Sequence, residues 1–266
     1  MNIYIRTDIE GIPGVNTMDD IIPRGTEAYE RSCRHLEQTL NWVLEACYEN
    51  GADTVYYRDG HGGGGNIKPE NIDPRAVKLE GVTWVDLALE GKFDCYLDVG
   101  THARAGTLGG FLDHTFRSKS IFEFRMNGKL ASELTFVAGV CGLKDVPCVL
   151  CVGDRAACEQ AKEDIPEITM AIVKEGTERN LCHDLPNAEQ IIKEATAKAL
   201  KNYRNVPPYK MSLPVTIQQT YYRTDMADVV YKRSLENGKP VERVDARTLR
   251  MSVPEVNSYY DLRFSE

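Results

Sequence analysis

Three short apolar runs, each closed at once by a glycine, constrain what this chain can fold into. Ile3-Tyr4-Ile5-Arg6-Thr7 leads into Asp8-Ile9-Glu10-Gly11, Thr54-Val55-Tyr56-Tyr57 into Arg58-Asp59-Gly60-His61, and Cys95-Tyr96-Leu97-Asp98-Val99 into Gly100-Thr101-His102. Such runs read as buried strands. Between the first two, residues 27–50 place Leu36, Leu40, Val43, Leu44 and Cys47 at helical spacing and stop at Asn50-Gly51, a helix-ending signal. Strand and helix signals keep alternating, with strands expected near 82–85, 146–152 and 168–173, and helices from 132, over 154–163 and over 187–203. That alternation predicts an α/β fold: a mixed, largely parallel sheet flanked by helices. A hairpin is expected from Phe116 to Arg125 and Lys129 to Ala131, turning at Asn127-Gly128. Pro207-Pro208 interrupts the pattern, so residues 1–205 are expected to form the main α/β domain and 206–266 a smaller C-terminal α/β unit packed on it. In that unit, 211–221 reads as a strand, 225–235 as a helix and 240–244 as a short strand.

The chemistry gathers at the strand ends. Asp8 and Glu10 are two apart in an extended run, so their carboxylates share one face. Convergent carboxylates repel unless a positive charge lies between them, and a divalent cation is the usual solution. A lone Asp-x-Glu is more often a pair of solvated acids; here His61 and His102 follow the other two runs just past their C-terminal ends. That edge of an open α/β sheet is where ligands bind. His114 precedes the hairpin and Glu133 opens the helix after it, so the hairpin can bring them together. Each alone has an ordinary meaning, a hydrogen-bonded loop histidine and an acid complementing a helix dipole. Their weight comes from the company they keep.

Composition narrows the function classes. The 266 residues are 42% hydrophobic and 27% charged, enough for a full core. The net charge of −8, with no long Lys/Arg run, argues against nucleic acid. No membrane span is visible, and the absence of a basic, then apolar, then small-residue leader pattern makes a cytoplasmic location the expectation. The eight cysteines lie mostly in apolar stretches and read as reduced, buried small hydrophobes, Cys148 and Cys151 included. Gly62 to Gly65 lacks the Gly-Lys-Ser/Thr ending of a phosphate loop and reads as a flexible approach to His61.

Together Thr7-Asp8-Ile9-Glu10-Gly11, Asp59-Gly60-His61-Gly62, Gly100-Thr101-His102-Ala103-Arg104-Ala105-Gly106, His114, Asn127-Gly128 with Glu133-Leu134, and Val152-Gly153-Asp154-Arg155-Ala156-Ala157 resemble the bacterial D-aminopeptidases of the dipeptide-operon type, binuclear zinc peptidases. The match in order and interval covers roughly the first 165 residues. The resemblance implies two Zn2+ per subunit, with Mn2+ or Co2+ as substitutes. In it, Asp8 bridges the metals, Glu10 and His61 complete one site, and His102 and Glu133 the other, leaving open positions. Mixed carboxylate and imidazole ligation suits zinc better than the oxygen shells of Mg2+ or Ca2+. His114 is implied as the catalytic residue, nucleophile or base, with proton transfer the role that an imidazole near neutral pKa suits. The implied substrate is a short peptide with an N-terminal D-amino acid, of the D-Ala-D-Ala type. The implied assembly is a ring-like homo-oligomer, a decamer among its sizes.

The chain departs from that pattern at Arg58, where an asparagine is expected, at Gly60, where a serine is usual, and in its four-glycine run. Arg58 is expected to pair with Asp59, a peptide carboxylate being its other partner. Two further readings stay open: a binuclear hydrolase of another bond, such as an amidohydrolase or phosphoesterase, and a non-catalytic metal-binding assembly protein. His35 and His183 lack partners at ligand spacing and read as structural or exposed.

Overall fold

The computed structural model describes residues 1–265. Its strands are β1 (Asn2–Thr7), β2 (Thr54–Asp59), β3 (Val77–Lys78), β4 (Cys95–Thr101), β5 (Ile121–Met126), β6 (Lys129–Leu130), β7 (Cys148–Asp154), β8 (Thr169–Glu178), β9 (Leu181–Asp184), β10 (Val215–Tyr221), β11 (Val241–Arg243) and β12 (Thr248–Val253). The α-helices are α1 (Glu27–Glu49), α2 (Thr83–Leu89), α3 (Glu133–Gly142), α4 (Arg155–Asp164), α5 (Ala188–Asn202) and α6 (Thr224–Glu236). Seven strands form the main sheet in the order β3-β2-β1-β4-β7-β8-β9. All its pairs are parallel except β8 with β9.

β4 and β7 are buried at every residue, as expected of central parallel strands covered on both faces. Helices supply the cover: α1 packs against α5, α2 against α3, and α4 on β7 and β8. α1 begins where the Thr26 side chain accepts from the Tyr29 amide, and it turns Leu36, Leu40, Val43, Leu44 and Cys47 inward. Among the described residues, no helix is long and apolar enough to cross a membrane. All eight cysteines are buried and unbridged.

The strand order reverses between β1 and β4, because the chain builds outward from β1 through β2 and β3, then returns to lay β4, β7 and β8 on the other side. Loops leaving β1 and β4 therefore diverge and open a crevice at their C-terminal ends. Asp8, Glu10 and His102 follow those two strands directly, and His61 follows β2. The crevice floor is tight: the Asp8 amide donates to the Val99 carbonyl at 2.8 Å, and the Gly11 amide to that of Gly100 at 2.9 Å.

The second sheet is antiparallel, in the order β11-β12-β10-β5-β6. It joins the β5–β6 hairpin to strands from the last sixty residues, with Gln218 opposite Arg125. The hairpin turns at Asn127 and Gly128, whose φ angles of 49° and 81° are both positive, as a tight I′ turn requires. Its first strand is shorter than expected, starting at Ile121, because Phe116 has φ 60° and residues 117–120 form turns. The strand expected at 82–85 is instead the start of α2. Trp84, Val85 and Ala88 are its buried residues, and a short apolar run with that spacing fits either element.

Gly100 tests the close approach of β1 and β4. Its φ is +82°, and an added Cβ would collide with the Asp8 carbonyl oxygen and the Ile12 side chain, whereas Gly25, at φ +81°, has nothing nearby. Gly100→Ala should destabilise by about 3 kcal/mol or more and Gly25→Ala by about 1 kcal/mol in urea unfolding. Equal losses would refute the contact.

Candidate metal centre

All six residues singled out in the sequence meet at the C-terminal edge of the main sheet, in two clusters. Asp8, Glu10 and His61 form one and His102, His114 and Glu133 the other, each with ligand atoms within 4.8 Å of one another. In the first, His61 Nδ1 lies 3.2 Å from Asp8 Oδ1 and 3.1 Å from Glu10 Oε2. In the second, His102 Nε2 lies 3.4 Å from Glu133 Oε1, and His114 Nε2 lies 3.9 Å from the same oxygen. Asp8 Oδ2 stands 3.7 Å from His102 Nε2, so Asp8 reaches toward both clusters.

The local chain explains these positions. Ser132 caps α3 by accepting from the Thr135 amide, which places Glu133 in the first turn. Glu133 Oε1 also accepts from the Phe116 amide at 2.8 Å, tying the loop before the hairpin to the helix after it. The His114 amide donates to the Ala103 carbonyl at 3.1 Å, and the His102 and His114 rings stack at 3.9 Å, 8° from parallel. Nδ1 of each ring is directed at a backbone carbonyl, Ala103 at 3.0 Å for His102 and Leu112 at 2.8 Å for His114. That leaves both Nε2 atoms for the centre. The backbone of Glu10 is held by buried Lys174, whose Nζ donates to its carbonyl at 3.2 Å.

The glycine run is a fastened loop. Gly62 to Gly65 all have positive φ, and Arg24 donates to the carbonyls of His61, Gly62 and Gly64. Asn66 closes it from below through the Asp59 carboxylate, which accepts from the Asn66 amide at 2.6 Å and from its side chain at 2.9 Å. Arg58 does not pair with Asp59, because neighbours on a strand point to opposite faces. It donates to the Gly81 carbonyl at 2.9 Å and stands over Trp84.

Sequence reading missed Arg6. Buried in β1, it donates from Nη2 to Asp8 Oδ2 at 2.6 Å and to Glu133 Oε2 at 2.5 Å, and from Nη1 to both oxygens of Asp98 in β4. The available signal was a cation and an anion each inside an apolar strand run, since a charge buried there needs a partner. Burial opposes its charge, but Asp98, Asp8 and Glu133 outweigh that and hold the guanidinium protonated.

The clusters have the chemistry of a cation site. Their oxygen and imidazole donors are buried at Asp8, Glu10 and His102 and half-buried at His61, His114 and Glu133, and His102 Nε2 has no formed hydrogen bond: Glu133 is close enough to attract it but is not in line. Burial works against charging His61, yet Glu10 and Asp8 push it up to about 11, and His102 is likewise carried against burial to about 10, chiefly by Glu133. Glu10 is held well below the carboxylate range, because His61 and His102 overcome its burial. Without a metal, the two imidazolium ions supply the positive charge. A ligating imidazole must be neutral, so cation binding at pH 8 should expel about two protons per chain from the histidines, over and above any lost by metal-bound water. Histidines at the ordinary value of about 6.5 would add almost none to the water's share. Calorimetry in buffers of different ionisation enthalpy measures the number.

A cavity of about 680 Å³ opens over both clusters, lined by Asp8, Glu10, His61, His114 and Glu133 at its base. Arg24, Arg117, Lys119 and Arg179 lie on its other walls. A family profile described as D-aminopeptidase matches residues 1–263. A D-aminopeptidase of Bacillus subtilis (strain 168) is 31% identical over 213 residues, covering 78% of this chain and 77% of that protein. The solved structure of the Zn-dependent D-aminopeptidase DppA from Bacillus subtilis, described as a self-compartmentalizing protease, superposes with a TM-score of 0.86 at 26% identity, over 96% of this chain and 92% of that one. With its profile match spanning nearly the whole length and its site built at the sheet's switch point, the chain belongs to the D-aminopeptidase family.

Proposed function

We propose that this chain is a zinc-dependent aminopeptidase that hydrolyses short peptides bearing an N-terminal D-amino acid, of the D-Ala-D-Ala type. The observation that carries the proposal is the pair of adjacent carboxylate and imidazole clusters at the base of one cavity, in a chain that belongs to the D-aminopeptidase family. Asp8, Glu10 and His61 would hold one zinc and His102 and Glu133 the other, with Asp8 between them. Zinc held there would polarise the scissile carbonyl and lower the pKa of water to about 7.

The chain's own residues divide the remaining work. Burial keeps the His114 imidazole below its ordinary pKa, so it is neutral and able to take a proton at physiological pH. Its Nδ1 is committed to the Leu112 carbonyl, which makes Nε2 the atom that accepts and returns the proton. Arg24, Lys119 and Arg179 also line the cavity and are exposed. With the acids neutralised by the metals they would hold, these cations attract a peptide carboxylate, which favours substrates short enough to bring that end into the cavity together with the scissile bond. The self-compartmentalizing character described for DppA supports a homo-oligomer here, and we propose a ring of that kind, working in the cytoplasm.

Purified protein reconstituted with Zn2+ should release free amino acid from D-Ala-D-Ala and not from L-Ala-L-Ala. Cleavage of a phosphodiester in place of either peptide would reassign the bond. His114→Ala should lower the rate by about 10²–10⁴-fold while zinc stays at about two per chain. A fall to one zinc would instead make His114 a ligand of the second cluster, within whose ligand distance it stands.

A further inference from the structure

The sheet register sets Arg6 of β1 opposite Asp98 of β4. The pair is locked in place. Asp98 is fully buried and also accepts from the hydroxyls of Tyr96 and Thr101, so the guanidinium it holds cannot swing away. Arg6 then divides the oxygens of the centre. Glu133 gives Oε2 to Arg6 and turns Oε1 toward His102, while Asp8 gives Oδ2 to Arg6 and turns Oδ1 toward His61.

The division is unequal. The first cluster keeps two carboxylate oxygens clear of Arg6, Asp8 Oδ1 and Glu10 Oε2, both within 3.2 Å of His61 Nδ1. The second has Glu133 as its carboxylate, and the Asp8 oxygen that approaches His102 Nε2 is the same Oδ2 that Arg6 holds at 2.6 Å. A cation at the second position must share both of its acids with a fixed positive charge. We propose that Arg6 ranks the two metal positions, leaving the Asp8–Glu10–His61 position tight and making the His102–Glu133 position weak. Arg6 is thus a positioning residue, acting through Asp8 and Glu133, and the second position fills only at higher metal concentration. The inference rests on the metal-centre reading above.

Zinc titration of metal-free protein by calorimetry, with metal content after dialysis as a second readout, tests this without recourse to activity. In the unaltered protein the two stepwise dissociation constants should differ by about 100-fold or more, a coupling within the reach of one nearby charge. The double variant Arg6→Met with Asp98→Asn removes both buried charges together and strands neither. Its two constants should converge to within about tenfold, through tightening of the weaker one. Arg6→Lys keeps the charge but not the fork that spans three carboxylates, so it should narrow the gap partially, and it carries the test should the double variant fail to fold. Folded variants with an unchanged gap would overturn the role of Arg6 while leaving the metal centre standing. Unaltered protein that binds no zinc would overturn both.

Discussion

Three carboxylates cannot share a buried pocket without an equal gathering of positive charge, and that constraint organises this molecule. Asp8, Glu10 and Glu133 lie around one sheet edge, and Arg6, His61 and His102 are the charges set against them. Each unpaired acid would be pushed toward its neutral form by burial, so the cluster stays ionised only as an assembly. The parallel strands supply the rigidity this needs. β1 and β4 are fixed by backbone ladders on both sides, and the charged side chains inherit that precision.

The site draws on two sheets rather than one. Asp8, Glu10, His61 and His102 hang from strand ends of the parallel sheet, whereas His114 and Glu133 flank the hairpin that belongs to the antiparallel one. Glu133 is the joint, because its carboxylate meets His102 and Arg6 from the first sheet and the Phe116 amide leading into the second. His114 comes from the chain before that hairpin yet is anchored to the parallel sheet, its amide donating to the Ala103 carbonyl and its ring stacking on His102.

Much of this was legible in the sequence, and the rest was hidden for identifiable reasons. Strands β1, β2, β4 and β7, helices α1, α4, α5 and α6, and the Asn127-Gly128 turn announce themselves through local pattern and turn chemistry. The short strands β3 and β9 do not, since edge pairing is decided by the partner strand, and neither does β12, an interior strand of the antiparallel sheet. Helix α2 was masked by a run too short to show its period. Asp8 and Glu10 were legible from their spacing in an extended run, and His61 and His102 from their places beside glycines after apolar runs, whereas His114 and Glu133 drew their weight from that company. Arg6, Asp98 and Lys174 were not, because a buried charge acquires meaning only from its partner, and the Arg6–Asp98 pairing follows from a strand order that local pattern does not contain.

The buried cysteines bear on which atoms a soft metal meets. Thiolate binds zinc more avidly than carboxylate does, and this chain carries more thiols than it has residues in its centre. Burial pushes Cys33 and Cys182 up to about 11 and Cys95 to about 12, and it holds all eight thiols away from solvent, so in the folded protein they are not presented to a cation. During folding the same thiols are exposed and compete for any zinc present. Closing the core therefore leaves imidazole and carboxylate as the donors that face the cavity, and the choice of donors offered to a cation is a property of the finished fold as much as of the composition.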